Sequence, residues 1–343
     1  SAGIRQATQV SGTINSDTNW TLAASPYYVN GTLTVPSGRT LTIPAGAIVK
    51  FSQNGQISVS GNLIAQGTSG SPIYFTDLRD DTVGGDSNGD GNASSPAAGW
   101  WGGIVINNGG TAALDHCVVR YGGYSSYGSN GKYSNVYKTG TGSISITNLS
   151  ISNSSSYGLE IENSSASHMI SGNTINNNGS YGIYSKNSSP TIQENTISNN
   201  QSYGICIEGP TVPVNISGNI ISGNTWGQIC MRADAVETPV AADNTISGPL
   251  IINGGSIDAD SSLFNNGYTY YVNGALTVPS GRTLTIPAGA IVKFRQLSQY
   301  TYINVSGNLI AQGTDGSPIY FTDLRDDTVG GDSNGDGNAS SPL

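Results

Sequence analysis

The sequence has 343 residues, of which 36% are hydrophobic and only 10% are charged, and its formal net charge is −9. Nucleic acids and anionic membranes bind basic surfaces, so this acidic chain argues against either as a partner. The sequence contains no apolar run of roughly 18 residues, and we therefore expect no membrane-spanning helix.

Residues 27–76 contain short segments in which apolar and polar residues alternate, separated by turns rich in proline and glycine. Such alternation predicts half-buried β-strands, and proline in the turns removes no hydrogen bond from a sheet. The predicted strands form two similar sets, which we interpret as two coils of a solenoid: residues 32–35, 40–43 and 48–51, then residues 57–59, 63–65 and 73–75.

A long loop, residues 77–99, follows these coils and contains the heptapeptide Asp-Ser-Asn-Gly-Asp-Gly-Asn at residues 86–92. Oxygen-bearing side chains at positions one, three and five, followed by glycine, resemble the first half of an EF-hand or dockerin-type calcium loop. The twelfth position is Ala97 instead of a bidentate glutamate, so carbonyl groups, water or other aspartates would have to complete the site. The candidate ligands are Asp86, Asn88, Asp90 and Asn92, with Asp77, Asp80 and Asp81 as supplementary ones.

The same loop sequence recurs near the C-terminus, where Asp332, Asn334 and Asp336 predict a second Ca²⁺ site. The alternative interpretation is an acidic, glycine-rich loop that is simply solvated. We favour Ca²⁺ because carboxylates crowded into one loop repel each other unless a cation neutralises them.

A second loop, residues 122–142, is rich in tyrosine. Aromatic rings beside a groove can stack on sugars, so these rings could contact a polysaccharide. The alternative is that the loop folds over the solenoid and buries its rings. The candidate ligand-binding residues are Tyr124, Tyr127, Tyr133 and Tyr137, with Trp100 and Trp101 nearby.

Residues 158–232 repeat one short phrase that begins at Gly158, Gly182 and Gly204, at intervals of 24 and 22 residues. A period in the low twenties with two-residue alternation predicts a β-solenoid with coils of about 22 to 25 residues. Alternation assigns Leu159, Ile183 and Ile205 to the interior, and Glu160, Tyr184 and Cys206 to the exterior.

Asparagine falls at one equivalent position in four successive coils, at Asn173, Asn195, Asn219 and Asn244. The repeat and its asparagines resemble the right-handed parallel β-helix family, a fold shared by pectate-lyase-like enzymes, phage tailspikes and many bacterial surface proteins. This resemblance implies an all-β, right-handed parallel β-helix. It also implies an internal ladder in which asparagine amides hydrogen-bond from coil to coil.

A longer repeat relates the two ends of the chain. Residues 38–51 recur unchanged as residues 281–294, an offset of 243, and residues 77–96 recur as residues 323–342. We therefore divide the chain into a first unit, residues 1–254, and the start of a near-identical second unit, residues 255–343, that continues the same solenoid. Because the second unit stops partway, we expect either a fragment of a longer tandem array or subunits that stack end to end into a filament.

The sequence gives little support for catalysis, and we predict no catalytic residues. The outward column of Glu162, Lys186, Glu208 and Arg232 alternates in sign, which favours a ladder of exposed ion pairs over a cluster of catalytic carboxylates. His116 and His168 have no matched partners and are expected to be structural.

The three cysteines do not have the spacing of a metal motif. Cys117 is expected to be buried. Cys206 and Cys230 are expected to be neighbours on successive coils, roughly 4.8 Å apart, a distance that permits a disulfide without requiring one.

These observations predict a secreted or cell-surface β-helical rod, stabilised by Ca²⁺ and structural or adhesive in function. Its expected partners are copies of itself or further repeats of the same array. The alternative is a protein that binds or degrades polysaccharide through the tyrosine-rich loop.

Overall fold

The computed structural model describes residues 7–124, 133–210, 214–264, 266–295, 301–337 and 339–342. It is an all-β, right-handed parallel β-solenoid of about 12 turns, which confirms the predicted fold. Two short 3₁₀ helices, Leu22–Ala24 and Ala233–Ala235, are the helical elements of the described residues. None of the helices in these ranges is long and apolar enough to cross a membrane.

The strands of the first unit are β1 (Thr8–Thr13), β2 (Thr18–Asn19), β3 (Tyr27–Val35), β4 (Thr40–Ile43), β5 (Ile48–Phe51), β6 (Gln56–Val59), β7 (Asn62–Gln66), β8 (Ile73–Asp77), β9 (Gly103–Ile106), β10 (Thr111–Asp115), β11 (Cys117–Arg120), β12 (Ser134–Thr139), β13 (Ile144–Thr147), β14 (Ser150–Ser152), β15 (Tyr157–Ser164), β16 (Met169–Ser171), β17 (Thr174–Asn176), β18 (Ile183–Ser188), β19 (Thr191–Gln193), β20 (Thr196–Ser198), β21 (Tyr203–Glu208), β22 (Asn215–Ser217), β23 (Ile220–Ser222), β24 (Gly227–Met231), β25 (Thr245–Ile246) and β26 (Leu250–Ile252). Those of the second unit are β27 (Gly255–Ser256), β28 (Ser261–Ser262), β29 (Thr269–Val272), β30 (Ala275–Val278), β31 (Thr283–Ile286), β32 (Ile291–Phe294), β33 (Tyr302–Val305), β34 (Asn308–Ala311) and β35 (Tyr320–Asp323).

From β3 to β23 each coil contributes one strand to each of three parallel columns. In the later coils β27, β30 and β33 form one small parallel sheet, and β28, β31 and β34 form another. The first column runs from the second half of β3 through β6, β9, β12, β15, β18, β21, β24, β26, β29 and β32 to β35. The second column runs from β2 through β4, β7, β10, β13, β16 and β19 to β22. The third column runs from the first half of β3 through β5, β8, β11, β14, β17, β20 and β23 to β25.

The core is a continuous apolar stack inside the coils. Leu159, Ile183 and Ile205 are paired in register in β15, β18 and β21, and each is fully buried. Stacking one isoleucine above the next removes each side chain from water, which is worth roughly 2 kcal/mol per residue. The inward-facing side chains of each strand therefore form a continuous core only because neighbouring coils are aligned in register.

Asparagine amides run through the interior as two ladders. In the first, the Nδ2 of Asn173 donates to the Oδ1 of Asn195 at 2.8 Å, and Asn195 to Asn219 and Asn219 to Asn244 donate at 2.9 Å each. A second ladder, which the sequence analysis missed, continues from Asn178 through Asn200 and Asn224 to the Oε1 of Gln228. Each amide satisfies backbone groups at a coil corner, where the sheets have no ladder partner of their own.

The tyrosine-rich loop is shorter than the predicted range of residues 122–142. Ser134–Thr139 forms strand β12, which pairs with β9 and β15 in the first column. Lys138 in this strand is fully buried, and its Nζ donates to the carbonyl oxygens of Asn107, Thr139 and Thr141. The sequence did not predict this strand, because Ser-Asn-Val-Tyr-Lys-Thr has only one aliphatic residue. It forms because β9 and β15 lie on either side and supply its hydrogen-bonding partners.

Candidate functional site

The first acidic loop leaves the solenoid after β8 and is shaped by a single carboxylate. Asp86 accepts hydrogen bonds from the backbone N–H groups of Gly89 at 2.7 Å, Asp90 at 3.2 Å and Gly91 at 2.9 Å. These bonds, above all the one from Gly91, hold the pKa of Asp86 below its usual value, although desolvation of the carboxylate opposes them. Glycine at positions 89 and 91 allows the positive φ angles that this turn requires.

Three carboxylates converge on the inner side of this turn. Asp81, Asp86 and Asp90 each present an oxygen that lies within 4.8 Å of the others. The Oδ1 atoms of Asp81 and Asn88 are shielded from solvent and have no hydrogen-bond partner among the residues that the structure describes. Burial raises the pKa of Asp81, because a charged carboxylate is less stable away from water. The positive charge of Lys50 opposes this shift, and the neighbouring aspartates add to it. Convergent carboxylate oxygens are the donor set that a hard cation such as Ca²⁺ prefers, although those of Asp86 and Asp90 also accept hydrogen bonds within the loop.

Asp77 and Asp80 belong to ion pairs instead of this cluster. Asp77 accepts from the guanidinium of Arg79 at 2.6 Å, and Asp80 from that of Arg120 at 2.5 Å. Both aspartates are fully buried, so their charges are already balanced where they lie. Asn92 is exposed. Of the supplementary ligands predicted from the sequence, only Asp81 joins the cluster.

Lys50 is a component of the loop that sequence reasoning missed. It lies in β5, is fully buried, and its Nζ donates to the carbonyl oxygen of Gly85 at 2.6 Å. Burial lowers its pKa, against the raising effect of Asp81 and the other aspartates nearby. A lysine in the strand Ile-Val-Lys-Phe was the available signal, since a charged residue inside a buried strand needs a partner.

The second acidic loop, which follows β35, repeats this geometry. Asp327, Asp332 and Asp336 form the equivalent cluster within 4.8 Å, and the Oδ1 of Asp327 has no hydrogen-bond partner in the described ranges of the chain. Asp332 accepts from the backbone of Gly335 and Gly337, and the Nδ2 of Asn334 donates to Asp336, as in the first loop. Asp327 was not predicted, because the motif begins five residues after it.

The aromatic residues predicted to bind ligand do not form one surface. Trp101 is fully buried and stacks on Phe51 in the core with ring centroids 3.9 Å apart, and Tyr137 is also buried, which corrects the prediction for both. Trp100 lies beneath the guanidinium of Arg79 at 3.4 Å. Tyr124 is half-buried and Tyr133 is exposed, whereas Tyr127 lies outside the described residues.

A different set of rings lines the outer face of the first column, and we call it the aromatic stripe. Tyr157, Tyr181 and Tyr203 stack on successive coils with centroids 5.2 and 5.8 Å apart, and Trp226, 64% exposed, meets Tyr203 edge-on at 6.0 Å. The members of the stripe are Tyr157, Tyr181, Tyr184, Tyr203, Trp226 and Tyr271.

The stripe explains why residues expected to face solvent are buried. Glu160, Tyr184 and Cys206 point away from the core, yet each is less than one-tenth exposed. Cys206 and Cys230 are adjacent partners in β21 and β24, with Cα atoms 4.6 Å apart, and form a disulfide in this outer cluster. Cys117 is free and buried, and burial raises the pKa of its thiol to about 12.

The outward charges do not form the expected ladder. Glu162, Lys186 and Glu208 are paired in register, but no ion pair joins them in the described part of the chain. Glu208 instead accepts from the hydroxyl of Tyr184 at 3.0 Å. His168 is buried between coils, with its Nδ1 accepting from the backbone of Ile144.

Comparison with known proteins agrees with this architecture. A model of the right-handed β-helix region matches residues 83–266, more than half of the chain, and a model of a pectate-lyase-like β-helix domain matches residues 255–335. The chain is also similar to protein bark beetle of Drosophila melanogaster, with 38% identity over 71 residues; this covers 21% of the chain and only 2% of that protein. No solved structure gave a significant match. On its sequence and its fold, the chain belongs to the right-handed β-helix family.

Proposed function

We propose that this chain is part of an extracellular β-helical rod, stabilised by Ca²⁺, with a structural or adhesive function. The observation that carries this proposal is the recurrence of one three-carboxylate cluster in both acidic loops. In each cluster one aspartate oxygen, of Asp81 or Asp327, is shielded from water and accepts no hydrogen bond from any described residue. A cation bound there would neutralise the cluster and fix a loop of about 20 residues against the solenoid.

The disulfide supports an oxidising location. Disulfides persist in secreted and cell-surface proteins and are rare in reducing compartments. Cys206 and Cys230 are bonded across neighbouring coils of the stripe. Ca²⁺ sites in extracellular modules commonly bind the ion weakly. A cluster that lacks the bidentate glutamate of an EF-hand fits that class of site.

The long internal repeat supports association with further repeats or with another copy of the chain. Residues 281–294 repeat residues 38–51 without change, and strands β29 and β32 extend the first column of the preceding unit. One unit of this solenoid therefore stacks on another through the same kind of strand pairing. A following coil would extend the rod without adding a new kind of contact.

Electron microscopy of the purified chain with Ca²⁺, and again after chelation with EDTA, tests the proposal. We expect rods or filaments with Ca²⁺ that shorten or dissociate on chelation. The matched control is a chain carrying Asp86→Asn and Asp332→Asn, which should resemble the chelated sample even with Ca²⁺. Compact monomers unchanged by Ca²⁺ or EDTA would contradict the proposal.

Polysaccharide binding is a second candidate function, and the aromatic stripe is a better candidate site for it than the tyrosine-rich loop. Its rings lie at coil spacing on an outer face, and Trp226 offers an exposed ring beside Asn253 and Asn273. Trp226→Ala should abolish retention on a polysaccharide column if the stripe is the site, whereas Tyr133→Ala should not change it. Deleting residues 122–142 would be a poor test, because it removes β12 from the sheet.

A further inference from the structure

The 243-residue repeat does not contain a whole number of coils. The first half of β3, Tyr27–Val29, pairs with β5 and belongs to the third column. Its copy in the second unit, β29, pairs with β26 and belongs to the first column. The same residues therefore occupy different faces of the solenoid in the two units.

The shift holds for the other copies that lie in the first column. β5 and β8 lie in the third column, whereas their copies β32 and β35 lie in the first. β4 lies in the second column, whereas its copy β31 stacks on β28, the third strand of its coil. With three strands in a coil, a shift by one column is a rotation of about a third of a turn, and one repeat spans about nine and one third turns.

This rotation changes what surrounds the acidic loop. The first loop leaves from the third column after β8, but the second leaves from the first column after β35, on the face that carries the aromatic stripe. A groove of about 830 Å³ lies between the second loop and the solenoid; Trp226 and Tyr271 of the solenoid line it, together with Asp332 and Asn334 of the loop. Arg295 and Arg325 also line this groove, so both signs of charge face the rings.

We propose that each repeat unit is rotated by about a third of a turn relative to the unit before it, and that its acidic loop docks beside Trp226, the end of the aromatic stripe of that preceding unit that lies nearest to it. In a longer array of such units the loops would follow a helical path around the rod and return to the same face at every third unit. The partner of this end of the stripe is thus the next repeat of the same chain. This inference goes beyond the proposed function, because the strand pairing that carries it requires no cation.

Distance measurement between nitroxide spin labels tests the rotation. Labels at Thr225→Cys and Ser333→Cys, in a Cys117→Ala background that keeps the disulfide, would lie on opposite walls of the groove. We expect a narrow, short distance in Ca²⁺, comparable to the width of the groove. In EDTA the distribution should broaden but stay centred on a short distance, because strand pairing places the loop on this face and the cation only fixes it there. The matched pair Thr225→Cys and Ser87→Cys places the second label at the equivalent position of the first loop, and it should give a clearly longer distance.

A long distance for the Thr225 and Ser333 pair in a folded chain would overturn the proposal, because a loop in phase with the first one would leave from the third column. Ser247→Cys with Ser333→Cys samples the same groove and serves if the first pair disturbs folding. Circular dichroism of each labelled chain establishes that the β-sheet content is retained. If chelation dissociates the rods but the distance stays short, the rotation is supported independently of the Ca²⁺ proposal. If the rods persist on chelation and the distance is short, the rotation is supported and the Ca²⁺ proposal fails.

Discussion

The coil β6–β8 of the first unit and the coil β33–β35 of the second have nearly the same sequence but very different surroundings. In the first unit the next coil, β9–β11, covers the apolar side chains, whereas in the second unit the described residues include no such coil. The exposed fractions of the matched pairs are 0% for Val59 and 41% for Val305, 0% for Leu63 and 36% for Leu309, and 0% for Phe75 and 47% for Phe321. A coil of this protein therefore acquires its core from its neighbours and not from its own sequence.

The matched phenylalanines provide the strongest test of that difference. Phe75→Ala should lower the free energy of unfolding by about 3 to 5 kcal/mol, because it opens a cavity between covered coils. Phe321→Ala should lower it by less than about 1 kcal/mol, since half of that ring is already in water. Urea unfolding followed by circular dichroism measures both. Equal losses would mean that the two coils are covered alike in solution.

The asparagine ladder should matter only where coils lie on both sides. Asn195→Ala removes the acceptor of Asn173 and the donor to Asn219. It also removes the side-chain partner of the buried backbone N–H of Asn173 and of the carbonyl oxygen of Ile170. We expect a loss of about 2 to 4 kcal/mol in the free energy of unfolding. Thr196→Ala, an exposed change one residue away, is the control and should stay within about 0.5 kcal/mol. If both variants unfolded alike, the ladder would contribute nothing.

The burial of His168 between coils should also make the free energy of unfolding depend on pH. Burial, and to a smaller extent the charge of Lys138, lowers the pKa of His168 from 6.5 to about 4. Between these values the unfolded chain binds a proton that the folded chain does not, so stability falls as the pH drops from about 6.5 to about 4, by up to about 3 kcal/mol. Unfolding at several pH values measures this, and His168→Gln should flatten that part of the profile. An unchanged profile in His168→Gln would assign the acid sensitivity to other groups.

The fold could be read from the sequence because its signals are local and repeated. Leu159, Ile183 and Ile205 recur at the coil period, and the asparagines of the first ladder recur with them. The second ladder was missed because Asn178 and Asn200 sit among many turn asparagines of similar appearance. The burial of Glu160 and Tyr184 was missed because it depends on rings from other coils, which no single strand reveals.

The candidate site was predictable only in part. The heptapeptide identified Asp86 and Asp90, whose spacing follows from the turn itself. Asp81, Lys50 and the pairing of Asp80 with Arg120 depend on how the loop folds back onto β5 and β11. The rotation of the second unit could not be foreseen, because it depends on the total number of coils between two identical sequences.

Calorimetric titration of the chain with CaCl₂ measures directly whether the acidic loops bind Ca²⁺. We expect two sites per chain, one in each acidic loop, and a stoichiometry of one site in Asp86→Asn/Asp90→Asn and in the matched Asp332→Asn/Asp336→Asn. The quadruple variant should bind no Ca²⁺ while keeping its β-sheet circular dichroism. Absence of Ca²⁺ binding by the unmodified, folded chain at millimolar concentration would contradict the proposal of a Ca²⁺-stabilised rod.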